Sequence, residues 1–229
     1  VTIFVNPTQF GANEDFSCYP RTLPRDLEQL RERDVDLVFA PDAKEVYADG
    51  FSTYVEPPAV SRRWEGECRP GHFRGVATIV LKLLLQALAD IAFFGAKDFQ
   101  QARVIQQMVL DLNIPTEVRV CPTVRESDGL AMSSRNNYLT AEQRISALSL
   151  YNTLHKAKAL INSGLRDAAT IIDAATEVIQ SYPETDIDYI AICDPETLVD
   201  IKAIDRPVVM ALAVKVGKAR LIDNMMLNQ

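Results

Sequence analysis

The chain has 229 residues, enough to bury one large core or two small ones. Its 24 Lys and Arg stand against 31 Asp and Glu, a formal charge of -7, and an acidic surface repels nucleic-acid backbones and anionic lipid, so neither is an expected partner. Hydrophobic content of 48% with interspersed charge excludes a disordered chain, and Val76 to Leu88 is interrupted by Lys82 and Gln86, short of a membrane span. Cys18, Cys68, Cys121 and Cys193 are widely separated with no C-x-x-C pair, which predicts reduced, buried thiols and a cytoplasmic protein. The two histidines, His72 and His155, leave little room for zinc, and the start of the chain suggests no secretory leader.

In chain order, Val1 to Val5 reads as a buried parallel strand running into a polar turn that carries Asn6 and Gln9. A central strand needs neighbours on both sides, so the expectation is that residues upstream of Val1 are missing from this sequence or were lost. Thr22 is a predicted N-cap for a helix bearing Asp26, Leu27, Leu30 and Arg33, and Asp34 to Pro41 is the next strand. A loop region to about Pro70 holds the single tryptophan, Trp64. Arg69 to Gly75 then opens an apolar helix from Val76 to Leu88, with His72 and Arg74 near its start.

Ala89 to Phe94 is a short apolar run, the pattern of a strand buried on both faces, and Gly95 breaks it. Val104, Ile105, Met108, Val109 and Leu112 follow with helical spacing, so the chain turns from strand to helix across Gly95 to Asp98. Free N–H groups and the positive end of a helix dipole, joined by the Lys97 ammonium, suit an anion at that turn. Gln100 and Gln101 add neutral amides at the same helix start. Glu117 to Pro122 is a further strand.

From Val124 the character changes. Thr140 to Gln143 is a capping box for a helix whose predicted apolar face is Ile145, Leu148, Tyr151, Leu154 and Ile161, ending at Gly164; His155 sits beside lysines as a solvated residue. A second helix from Asp167 to about Ser181 turns Ile171, Ile172, Ala175, Val178 and Ile179 inward, and three strands follow over 187–192, 207–216 and 220–227. The fold class is therefore α/β, a Rossmann-like doubly wound parallel sheet over residues 1–123, with a smaller C-terminal α+β domain over 124–229 hinged through Arg125 to Asn137. That hinge carries Ser133, Ser134 and Arg135, whose hydroxyls and guanidinium suit a leaving pyrophosphate.

Five stretches in order, Ile3 to Phe10, Tyr19 to Thr22, Arg69 to Val76, Phe94 to Gln101 and Asp128 to Asn136, with Arg220 to Asn224 at the end, resemble the pantoate-beta-alanine ligase (pantothenate synthetase) family from end to end. The resemblance implies a nucleotidyltransferase fold of the class I aminoacyl-tRNA-synthetase-like kind, with pantoate, beta-alanine and ATP as substrates and a pantoyl-adenylate intermediate. It implies that Asn6, Gln9, Arg69, His72 and Gln101 form the pantoate side. Gly95, Lys97, Asp98, Val124, Met132, Ser133, Ser134 and Arg135 would hold ATP, with Lys97, Ser133, Ser134 and Arg135 acting on the phosphates. Mg2+ is implied as a companion of the nucleotide, approached by Asp26 and Gln29, and a homodimer is implied as the assembly. Departures are Arg25 where an acidic residue occurs, Ala96 where the family's turn has glutamate, Leu88-Ala89 where Gln-Pro is common, and the lack of the family's upstream His-x-Gly-His motif. The alternative they support is a catalytically impaired homologue acting as a nucleotide- or pantoate-binding protein or an interaction protein.

Overall fold

A computed structural model describes residues 1–12 and 14–227. The elements run α1 (Leu23–Arg31), α2 (Ala43–Val46), α3 (Glu65–Cys68), α4 (His72–Ala87), β1 (Ile91–Gly95), α5 (Phe99–Asp111), β2 (Glu117–Cys121), α6 (Ala141–Asn162), α7 (Ala168–Gln180), β3 (Thr185–Cys193), β4 (Val208–Val216) and β5 (Ala219–Leu227), with 3-10 turns at Pro7–Gln9, Ala96–Asp98 and Ser134–Tyr138 among others. The chain is an α/β protein in which β1 and β2, joined through α5, form one sheet and β3-β4-β5 an antiparallel second. It divides into two compact units, 1–92 with 104–117, and 93–103 with 118–229. This places residues 93–103 with the C-terminal part, where the sequence boundary at 123/124 had put them with the N-terminal one.

In the first unit, Ala77 and Leu84 of α4 and Met108 of α5 make a small core, with Val55, Val80, Leu81, Ala92, Val109 and Ile114 packed against it. The strands predicted over Val1–Val5 and Asp34–Pro41 shrink to one parallel bridge, Thr2 to Phe39, with Ile3 N donating to Phe39 O and Phe39 N to Val1 O. Neither segment is buried on two sides: Val1 is 58% and Leu37 74% exposed. The apolar composition was read correctly, but a ladder needs a neighbour along its length, and one bridge does not supply it. β1 does have a ladder partner in β2, but it too is not buried on both faces, since Phe93 is 64% exposed. The α4 helix starts four residues before Val76, because Gly71 takes the left-handed conformation (φ 85°) that turns the chain into it.

The second unit holds the larger core. On one side of the antiparallel sheet, α6 and α7 bring Leu150, Leu154, Ile161, Ile171 and Ile179 against Met210, Leu212 and Val214 of β4 and Leu221 and Leu227 of β5. The Thr140–Gln143 capping box forms as predicted, and Asp167 caps α7 by accepting from Thr170 N at 2.8 Å. The inward face of α6 is displaced from prediction: Ile145 is 63% exposed, while Ser146, Ser149 and Thr153 are buried with Ala147, Leu150 and Leu154. Small hydroxyl residues let the helix lie close to its neighbours, and a hydrophobicity pattern does not register them. His155 is exposed, as expected, and stacks on Tyr151. The cysteines are free, but Cys18, Cys68 and Cys121 are exposed and only Cys193 is buried, which corrects the expectation of buried thiols.

Candidate functional site

The predicted pantoate residues Asn6, Gln9, Arg69 and His72 come together in the first unit. Asn6 is 3% exposed and caps the Pro7–Gln9 turn. Its Oδ1 accepts from Tyr47 OH at 2.7 Å and Thr8 Oγ1 at 2.9 Å, and its Nδ2 donates to Gln9 Oε1 at 3.0 Å and Gly75 O at 3.2 Å. The Asn6 amide is thus committed inside the protein. Because Gln9 spends its oxygen on Asn6, its own N–H donors point away, the orientation in which an amide can greet an anionic or hydroxylated ligand.

Arg69 and His72 stand behind this turn. A guanidinium only donates, so the 3.2 Å contact from Arg69 Nη1 makes His72 Nε2 the acceptor, and the proton resides on Nδ1, donating to Gln9 O at 2.8 Å. Burial, and then the Arg69 charge, push the His72 pKa down to about 4, so the ring is neutral at physiological pH. Glu14 takes Arg69 in a two-pronged pair, Nε to Oε1 at 2.7 Å and Nη2 to Oε2 at 2.6 Å, with Glu65 at 3.5 Å. Burial acts to raise the Glu14 pKa, but the hydrogen bond and charge of Arg69 outweigh it and the net shift is downward. Elsewhere in this unit, Asp26 and Gln29 lie on α1, where the Asp26 carboxylate accepts from Thr22 Oγ1. An open cavity of about 430 Å³ lies along Pro7, Thr8, Lys44, Tyr47, Phe51 and Tyr54, reaching the back of the Asn6 cap through Tyr47.

The predicted nucleotide residues belong to the second unit, and so does Gln101, the one predicted pantoate residue that does not lie in the first. Gly95 ends β1, the 3-10 turn Ala96–Asp98 follows, and α5 begins at Phe99, so the expected strand-turn-helix junction is present. Lys97 Nζ is 4.0 Å from the Asp98 carboxylate, Gln101 is half-buried on the first turn of α5, and Gln100 is 4% exposed. Val124 and Met132 sit on the two arms of a narrow hairpin, Met132 N donating to Val124 O at 2.9 Å, and both are exposed, at 65% and 55%. Ser133 caps the next turn by accepting from Arg135 N at 3.2 Å, and Ser134 opens that turn.

Residues with no role read from the motifs hold these segments. Asn224 on β5 donates both side-chain N–H groups, to Ala96 O and Lys97 O, each at 2.9 Å. Its neighbour Asp223, 3% exposed, takes Arg125 in a two-pronged pair at 2.7 and 2.9 Å, and this raises the Arg125 pKa. Arg144 bridges Glu126 and Asp128, and Asn136 Nδ2 donates to Glu126 Oε1 at 2.6 Å. The one signal available beforehand was the Arg220 to Asn224 stretch, whose acid and amide lie on an otherwise apolar strand.

A family model described as Pantoate-beta-alanine ligase matches residues 1–226. The chain belongs to the pantoate-beta-alanine ligase family. It is 54% identical to the pantothenate synthetase of Moorella thermoacetica, over 99% of this chain and 80% of that one, and 52% identical to that of Thermosipho africanus, over 99% and 81%. Among solved structures, the Thermus thermophilus pantothenate synthetase superposes with a TM-score of 0.95 at 45% identity, covering 98% of this chain and 81% of that one. The pantoate-beta-alanine ligase of Francisella tularensis, complexed with beta-gamma ATP and beta-alanine, is 36% identical with a TM-score of 0.80, covering 98% and 77%. As a ligase of this family the chain has, among the described residues, no helix long and apolar enough to cross a membrane and no cluster of three or more His, Cys, Asp or Glu arranged for a metal ion.

Proposed function

We propose that this chain joins pantoate to beta-alanine at the expense of ATP, giving pantothenate, AMP and pyrophosphate. Family membership over residues 1–226 is the observation that carries the reading, and the Francisella ligase complexed with beta-gamma ATP and beta-alanine supports the substrate set. In the first step a pantoate carboxylate oxygen bonds to the α-phosphorus of ATP and the bond to pyrophosphate breaks. In the second, the beta-alanine amine attacks the acyl carbon, the bond from that carbon to the bridging oxygen breaks, AMP departs with that oxygen, and the amine releases a proton.

Within that scheme Gln9 and Gln101 orient pantoate through neutral amides, leaving its carboxylate unneutralised and nucleophilic. Asn6, Arg69 and neutral His72 fix the Gln9 turn. Lys97, Ser133, Ser134 and Arg135 act on the phosphates as charge develops on the leaving pyrophosphate, Gly95 and Asp98 shape the ATP turn, and Val124 and Met132 offer exposed apolar faces to adenine. Mg2+ rides on the nucleotide, since Asp26 and Gln29 supply too few ligands for a protein cage and fit only contact through water or phosphate. The protein works in the cytoplasm as a homodimer.

Ala96, at the position the family fills with glutamate, favours a second reading in which the chain binds nucleotide or pantoate without turnover. Pantoate-dependent exchange of pyrophosphate into ATP by the full natural protein separates the two. The first reading expects exchange, with Lys97→Ala and Gln101→Ala each lowering it about 10²-fold or more. Nucleotide binding without exchange would establish the second, and wild-type exchange by either variant would overturn its assigned role.

A further inference from the structure

β5 packs against both the Ala96–Asp98 turn and the Ser134–Tyr138 turn, and through Asp223 it holds Arg125, next to Val124. Two consecutive residues of one strand therefore touch two segments assigned to the nucleotide, although neither residue belongs to either segment. We infer that Asn224, backed by Asp223, is a positioning residue for ATP, holding the Lys97 turn in register with the Val124–Met132 hairpin.

One carboxamide captures two successive carbonyls at 2.9 Å each, which fixes two adjacent peptide planes rather than one. The peptide bonds are trans, so each carbonyl and the N–H of its own plane point opposite ways. With Ala96 O and Lys97 O held toward Asn224, the N–H groups of Lys97 and Asp98 are turned away from β5. This sets the direction from which the Lys97 side chain leaves the backbone. The main chain from which the Asn224 side chain springs is itself held. The Asn224 backbone N–H donates to Asp223 Oδ1 at 2.8 Å, and that same carboxylate is clamped on Arg125, whose Nη1 also donates to Gly129 O at 3.0 Å. The carboxylate thus links the hairpin that carries Val124 and Met132 to the strand residue that grips the Lys97 turn. Both residues are nearly inaccessible, at 3% and 9% exposure, and act through the segments they hold.

The inference rests on the ATP-dependent reading, and the test separates the two. ATP affinity of the full natural protein is measured by calorimetry, and ATP and pantoate KM by pyrophosphate exchange, for wild type, Asn224→Asp, Asn224→Ser and Asp223→Asn. Asn224→Asp keeps the shape but sets a carboxylate against two carbonyls, so it is expected to weaken ATP binding roughly 10- to 100-fold with pantoate KM within about twofold. The weakening should vanish when Lys97 is already alanine, because the two residues act on one turn. A general structural role would instead add to the Lys97→Ala loss and raise both KM values. Should Asn224→Asp fail to fold, Asn224→Ser, which keeps one donor, carries the same comparison. Unchanged ATP affinity in a folded Asn224 variant, or full additivity with Lys97→Ala, overturns the inference. ATP binding lost in the variants while wild type shows no exchange would uphold the positioning and sink the proposed reaction; no ATP binding by wild type would sink both.

Discussion

His72 is neutral because the protein has no room for its charge. Its ring is 7% exposed, an arginine faces one nitrogen, and its folded pKa of about 4 lies below the ordinary 6.5. The unfolded chain therefore binds this proton more tightly than the folded one. The stability tied to His72 is complete above pH 6.5 and is lost as the pH falls towards 4, in total roughly 3 kcal/mol at about 1.4 kcal/mol per pH unit. Glu14, also lowered, adds to the loss only below its ordinary 4.5. Urea unfolding at pH 7 and pH 4.5 should show a larger drop for wild type than for His72→Gln, which has nothing to protonate; equal drops would refute the account. The sequence flagged His72 near a helix start, in a segment that Arg69 opens. Their neutral and charged roles were not legible, because Glu14 lies 55 residues from Arg69 and meets it only through folding.

At the scale of elements, the Pro7–Gln9 turn and α4 are locked at Gly75. A Cβ there would lie 2.4 Å from Thr8 O and 2.7 Å from Gln9 N, both backbone atoms that cannot swing aside. Gly75→Ala ought to stabilise an isolated helix by up to about 1 kcal/mol. Here it should displace the turn that aims Gln9 and raise pantoate KM roughly 10- to 100-fold, with ATP KM unchanged. Steady-state kinetics on the variant, with helix content followed by circular dichroism, decides it; an unaltered pantoate KM would show that the turn tolerates the shift. The Arg69 to Gly75 motif was visible in the sequence, yet nothing in it says which glycine serves the helix start and which the close approach. Gly71 takes the positive φ and Gly75 the contact, a distinction only coordinates make.

Over the whole molecule, apolar burial is uneven. The second unit packs two long helices on a three-stranded sheet whose central strand is inaccessible at all but one position, whereas the first buries its apolar residues mainly on α4 and α5, Val76, Ile79, Val104 and Ile105 among them, and leaves residues 1–60 mostly exposed or half-buried. Local opening costs least where few apolar contacts must be broken. Amide hydrogen exchange should accordingly be slowest in β4 and the middle of α6, and orders of magnitude faster in residues 1–60; uniform protection would contradict this reading of the cores. Periodicity and capping residues by themselves determined α5, α6, α7 and the three C-terminal strands, since those elements are local patterns that bury their own apolar faces. Motif order identified the family for the same reason: it is written along the chain. The tertiary structure alone decided that Val1–Val5 is bridged at one residue, that residues 93–103 associate with the C-terminal unit, and that Asp223 and Asn224 grip segments about a hundred residues away. Those outcomes depend on which surfaces meet, and a carboxylate or amide declares its partner only when burial takes away the water that would otherwise satisfy it.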